Sequence, residues 1–290
     1  MTAAPDPVPA ITEAEATGET AAIYTDIRST LGVPVVNLIW RYLATMPGAL
    51  AWTWGAVRPL YASGQVAQAA AHLRERLELP AQPAWPVAVL EAAGLDAGAR
   101  RGIAQVLASY DRSNAMNLVA LSALRARLAG STDATPLPAT DPGREIEGEL
   151  PSLVPLAAMP PATAELVQRL NAIGDPEQKV LASMYRHLSH WPAFLALTWT
   201  RLAPLDASGE AGRIIAANLT IAGAIARQLA HGMALPSASL PPAVQGQAEG
   251  ALDLFIRYAI GRMVPLGAIL NRSMPSAWRF DADGWHPSVG

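Results

Sequence analysis

The chain has 290 residues, 51% of them hydrophobic and 16% charged, with a formal net charge of −3 and no Cys. An average soluble domain carries roughly 25% charged residues, so ionisable groups are scarce here. The lack of Cys excludes disulfides, thiolate metal sites, iron–sulfur clusters and a Cys nucleophile, and the slightly acidic balance argues against a nucleic-acid partner, which needs a basic stripe. The 58 Ala, 20 Arg and single Lys, Lys179, fit a biased base composition, so the number of Arg alone carries no functional weight.

Residues 1–19 mix Pro and acid where a signal peptide would place basic and then apolar residues. Ile23, Ile27 and Leu31 recur at i, i+4 and i+8, one face of a first helix. Pro-rich residues 80–86 (PAQPAWP) break the helical pattern. Leu118, Leu121, Leu124 and Leu128 restore it. Residues 131–161, STDATPLPATDPGREIEGELPSLVPLAAMPP, read as a linker. The best apolar uncharged run, residues 214–226 between Arg213 and Arg227, falls short of the roughly 20 apolar residues of a membrane span and reads as a core helix. A second Pro-rich break covers 236–242, and the tail PSAWRFDADGWHPSVG reads as irregular, with Trp278 and Trp285 as anchors over a pocket or a dimer contact. Strand signals are nearly absent and Ala favours helix, so the expected class is all-α. The expected setting is cytoplasmic, with no membrane and no nucleic acid as partner.

A shift of 145 residues aligns 37–64 (NLIWRYLATMPGALAWTWGAVRPLYASG) with 182–209 (ASMYRHLSHWPAFLALTWTRLAPLDASG), and 12 of 28 positions are identical without a gap. Composition alone would give roughly two or three. The chain reads as a fused tandem duplication of a helical unit: residues 1–130, a linker at 131–161, residues 162–275, and a tail at 276–290. Two such units form a pseudo-two-fold bundle whose natural pocket lies between the repeats. Trp54 and Trp199, equivalent in the repeat, read as packing residues, and Gly64 and Gly209 as helix C-caps or turns.

The segments ETAAIYTDIRSTLGVP, RYLATMPG, HLRERL, LEAAGLD, LASYDRSN and HLSHWPAFL, in that order, resemble the group I (D,L-) 2-haloacid dehalogenases. The resemblance spans about residues 10–275. It implies an all-α dimer of two pseudo-repeats that hydrolyses the carbon–halogen bond of small 2-haloacids, without metal or cofactor, by carboxylate-activated attack of water on carbon. The family's catalytic Asp should follow a Ser shortly before the W-P of the second repeat. Here Ser183 is followed by Met184. Asn114 matches the water-orienting Asn. Val35 and Leu38 stand where the family has aromatic residues, Phe255 where it has a Tyr, and residues 65–68 (QVAQ) lack the family's acid. A thioether has no protonated state to exploit, so ordinary dehalogenation is not expected.

On a helix, Ser183, His187 and His190 fall on one stripe. Either imidazole could replace the missing base, or both could simply face solvent or a loop carbonyl. As a metal pair they make only half a site, so no metal is expected. Arg41 and Arg186 are equivalent in the repeat, as structural ion pairs or caps, or as a carboxylate clamp. Asp111, beside Asn114, is either a substitute carboxylate or part of a helix cap or kink. Asp253 and Arg257 read as an i, i+4 ion pair. Three functions remain open: a diverged enzyme acting on a small organic acid by hydrolysis, substitution or elimination, with Asn114, His187, His190 or Asp111 as its chemistry; a non-catalytic protein that binds a small acid or apolar metabolite among Val35, Leu38, Arg41, Ser183, Met184 and Phe255; and a residual dehalogenase.

Overall fold

The computed structural model describes residues 7–131, 137–141, 146 and 148–278, and these are all-helical. In chain order the helices are α1 (Gly18–Leu31), α2 (Leu38–Leu43), α3 (Ala49–Ala62), α4 (Gln65–Glu75), α5 (Val87–Ala92), α6 (Ala97–Leu128), α7 (Pro161–Ala172), α8 (Ser183–Leu188), α9 (Pro192–Ala207), α10 (Glu210–His231), α11 (Pro242–Phe255) and α12 (Gly261–Ser273). A π-helical turn, Ile256–Ile260, joins α11 to α12 in one continuous rod.

Several helix boundaries recur at an offset of 145 residues. Helices α2 and α8 begin and end 145 residues apart, α4 and α10 begin 145 apart, and α6 matches the α11–α12 rod at both ends with the same offset. Between α3 and α4, and again between α9 and α10, the chain turns on a single left-handed glycine, Gly64 at φ 75° and Gly209 at φ 73°. Glycine takes that conformation without the penalty a Cβ would bring. The rods differ in one respect: α6 is α-helical throughout, whereas its counterpart contains the π turn. At Gly261, where α6 has Met116, a Cβ would lie 2.1 Å from the Ile256 carbonyl oxygen and 2.6 Å from Leu219 of α10. The missing side chain is what admits the turn.

Two apolar cores result, and each draws on both halves of the chain. The first holds Ile27, Leu31, Trp40, Leu60 and Leu121 together with Ile225, Leu229, Leu252 and Phe255. The second holds Val167, Leu170, Phe194 and Leu202 together with Ile103, Leu107 and Leu266. Helix α6 gives its N-terminal half to the second core and its C-terminal half to the first. The linker's described residues lie along both halves: the Thr140 and Ile146 N–H groups donate to the Ser63 and Gly32 carbonyls, each at 2.9 Å, and Arg186 donates to the Val154 carbonyl. Trp278 is buried in the second core beneath the Arg100 guanidinium; Trp285 lies outside the described residues.

Some local expectations need correction. Asp253 pairs not with Arg257 but with Arg125, at 2.8 Å, because α6 packs alongside α11 and presents the guanidinium there. Asp111 neither caps nor kinks a helix. It sits in the middle of α6, whose N-cap is Asp96, accepting the Ala99 N–H at 2.8 Å. No helix among the described residues is long and apolar enough to cross a membrane.

Candidate functional site

A small, half-open cavity lies where the short helices α2 and α8 begin against the middles of the two rods. Asn37, Leu38 and Ile39 enter it from α2, and Val180 to Met184 from α8 and the loop before it. Tyr110 and Asn114 come from α6; Phe255, Ala259, Ile260 and Met263 come from the other rod. In the 145-residue register, Asn37 opposes Ala182, Leu38 opposes Ser183, Tyr110 opposes Phe255 and Asn114 opposes Ala259. The first-half wall therefore carries amide and phenol groups beside Leu38 and Ile39, and the second-half wall is apolar except for Ser183.

The polar groups form two sets. Asn37 Nδ2 donates to Ser113 Oγ at 3.0 Å and, at 3.5 Å, to Asn114 Oδ1, so the Asn114 amide nitrogen keeps its own hydrogens. On the other side the Arg41 guanidinium donates to the Val36 carbonyl at 3.1 Å and to Ser183 Oγ at 3.3 Å. Tyr110 Oη lies 2.8 Å from His187 Nδ1. Burial pushes the Tyr110 phenol well above its usual range, against the pull of Arg41, Ser183 and Arg186. Burial, reinforced by Arg41, His190 and Arg186, pushes the His187 imidazole down to about 3. His187 is therefore neutral at physiological pH, with its Nδ1 committed to Tyr110.

The sequence-derived candidates divide accordingly. Asn114, Leu38, Ser183, Met184 and Phe255 line the cavity. Arg41 and His187 sit one contact behind it, through Ser183 and Tyr110. Val35 is buried in the first core and is not part of the lining. His190 leaves the stripe because α8 stops at Leu188, just before Pro192. The ring is exposed, with Nε2 2.8 Å from the Ser152 carbonyl oxygen. Asp111 turns away to Arg74 at 3.9 Å, and burial raises its pKa against Arg74 and Arg272. Among the described residues no Asp or Glu lines the cavity, and no cluster of three or more metal-ligating side chains occurs.

Sequence reasoning missed Tyr110, although two signals marked it. It lies one turn before Asn114 on the same helix, and it is the repeat counterpart of Phe255. It also missed Arg262, the repeat counterpart of Asn117. Arg262 is fully buried and donates to the carbonyls of Asn171, Ile173 and Val180, and to Asn171 Oδ1, at 2.7–3.2 Å. These bonds fix the loop that carries Val180, Leu181 and Ala182 to the cavity. In the first half, Asn117 instead accepts from Trp40 Nε1 at 3.2 Å and Tyr61 Oη at 2.8 Å.

No family model matches the chain. A configuration-inverting 2-haloacid dehalogenase of Alcaligenes xylosoxydans xylosoxydans is 31% identical over 208 residues, covering 68% of this chain and 69% of its own. Solved structures of D-2-haloacid dehalogenase share the fold. A mutant superposes with a TM-score of 0.74 at 18% identity, a mutant in complex with D-2-CPA at 0.67 and 19%, and a complex with L-LA at 0.74 and 18%. Each covers 94% of this chain and 100% of the other. With that sequence identity across two thirds of both lengths, and the same helical fold, the chain belongs to the 2-haloacid dehalogenase family.

Proposed function

We propose that the chain binds a small 2-substituted carboxylic acid in the cavity between its two halves and does not hydrolyse a carbon–halogen bond there at ordinary enzyme rates. The observation that carries this reading is the lining itself: the Asn114 amide as donor and the Arg41 guanidinium one contact behind Ser183, with no carboxylate or other competent base among the described lining residues. The Ser183 hydroxyl is engaged with Tyr110, and Arg41, which donates to Ser183 Oγ, places a cation one contact behind the lining. Attack by water needs a base within roughly 2.6–3.2 Å of the water, and losing such a base costs about 10²–10⁴-fold. Met184 cannot accept the proton. His187 binds a proton only near pH 3 and spends Nδ1 on Tyr110. Asp111 and His190 are engaged outside the cavity. A diverged catalyst built on these side chains therefore has no group poised to accept the proton. The offset in helix boundaries supports descent of both walls from one duplicated unit, of which this lining is the diverged form.

Titration calorimetry with both enantiomers of 2-chloropropionate, run beside a halide-release assay, tests the reading. Saturable binding without halide release is expected. Steady release at ordinary enzyme rates overturns it.

A further inference from the structure

The two halves do not share the cavity evenly, and the uneven part says which acids fill it, an inference that rests on the small-acid reading above. Ten of the 14 lining residues form five pairs in the 145-residue register, from Asn37 with Ala182 to Asn114 with Ala259. All four polar lining residues, Asn37, Tyr110, Asn114 and Ser183, belong to this paired part. The remaining four, Val180, Leu181, Ile260 and Met263, are apolar and come only from the second half. Their counterparts Val35, Val36, Ala115 and Leu118 are buried in the first core and are not part of the lining.

The second half thus adds an apolar annex to a polar chamber. In a regular α-helix, residues five apart diverge by about 140°, which is how Ala115 turns into the first core while Tyr110 lines the cavity. A π turn brings residues five apart into line, so Ile260 joins Phe255 on the cavity wall. The loop before α8 supplies the rest of the annex through Val180 and Leu181. Lys179 holds that loop to the π turn, its ammonium 4.0 Å from the centre of the Tyr258 ring, and Arg262 holds it to the rod through the Val180 carbonyl.

We infer that the annex receives the carbon chain of the ligand, so that the acid bound here is a 2-substituted butanoic or pentanoic acid, and that Ile260 limits the length of the chain. The carboxylate and its 2-carbon stay in the paired chamber, where Asn114 donates and Arg41 stands one contact behind Ser183. Each methylene that leaves water for the annex gains affinity and leaves no polar group unpaired. With a methyl group alone, as in a 2-substituted propionic acid, the annex side chains forgo those contacts. A polar chain end would find no partner among them.

The test is calorimetric titration of the full chain at pH 7.5 with 2-chloropropionate, 2-chlorobutanoate, 2-chloropentanoate and 2-chlorohexanoate, each as both enantiomers. The expected result is 2-chlorobutanoate about fourfold tighter than 2-chloropropionate, the factor for one buried methylene. 2-Chloropentanoate should bind no more weakly than 2-chlorobutanoate, and 2-chlorohexanoate more weakly than either. If 2-chloropropionate binds as tightly as the longer acids, the chain inference falls and the small-acid site stands. If no acid binds, both fall. Ile260→Phe should fill the annex and bring the butanoate to propionate ratio to about one; an unchanged ratio overturns the place given to Ile260. Ile260→Ala should make 2-chlorohexanoate the tightest of the four, and a series unchanged from wild type overturns the length limit. The wild-type series decides the ligand class even if a variant fails to fold.

Discussion

At position 184 a side chain with 1% exposure lines the cavity and carries a thioether where the family resemblance places a carboxylate. Restoring the acid, Met184→Asp, would put an oxygen base one residue from Ser183, within the field of Arg41 and Arg186 that favours its charged form. Halide release from 2-chloropropionate should then rise by about 10²-fold or more over wild type, as read by a halide assay. A folded, acid-binding Met184→Asp variant without release would mean that water no longer has a place in this cavity. His187 makes a separate prediction for stability. Its imidazole titrates near 3 in the folded chain and at about 6.5 when unfolded. As the pH falls through 6.5 the unfolded state takes up the proton first, so stability is full above that value and declines down to about pH 3, by a few kcal/mol. Urea unfolding at pH 7.5, 5 and 4 should show a steeper loss for wild type than for His187→Gln.

Helix boundaries were largely legible in the sequence because their signals are local. The Ile23–Ile27–Leu31 face, the Pro-rich breaks and the paired glycines all mark where helices run and stop. Gly64 and Gly209 share a sequence context and a backbone conformation but not surroundings. A Cβ at Gly64 would lie 1.9 Å from the Thr140 carbonyl oxygen, whereas at Gly209 nothing lies within 4 Å. Gly209→Ala should therefore cost only the left-handed penalty of roughly 1–2 kcal/mol. Gly64→Ala should cost clearly more and lower the melting temperature further, because it must also displace the linker. That difference was not readable from the repeat, since Thr140 reaches Ser63 across intervening chain. The π turn was equally hidden. Residues 256–260 (IRYAI) carry no insertion relative to 111–115 (DRSNA), and only the Ile256 carbonyl and Leu219 crowding Gly261 explain it. The site followed the same division. Asn114, Ser183 and Met184, which line the cavity, stand out in the sequence because they sit in recognisable segments, while Tyr110 and the Asp253–Arg125 pair depend on contacts made only in the folded chain.

Across the whole molecule, the second rod is tied to the cavity loop by Arg262, whose burial is complete. Arg262→Met would leave the carbonyls of Asn171, Ile173 and Val180 without their donor and Asp175, 4.0 Å away, without its cation. Removing one partner of such a buried set costs about 3–5 kcal/mol. The expected outcome is a large fall in melting temperature with weaker acid binding, measured by calorimetry on the same sample. Because α6 and the α11–α12 rod each pass through both apolar cores, separately expressed fragments 1–135 and 136–290 should be unfolded alone and regain helical circular dichroism only when mixed. The crossing of the two rods also has a meaning for any ligand held there. A molecule seated between them acts as a rivet through both cores, so its binding free energy is shared by the entire fold. An acid that occupies the cavity at 100 times its dissociation constant should add about 2.7 kcal/mol to the stability of the whole chain. It should shift one undivided melting transition rather than split it in two, which makes the melting curve itself a reporter of cavity occupancy.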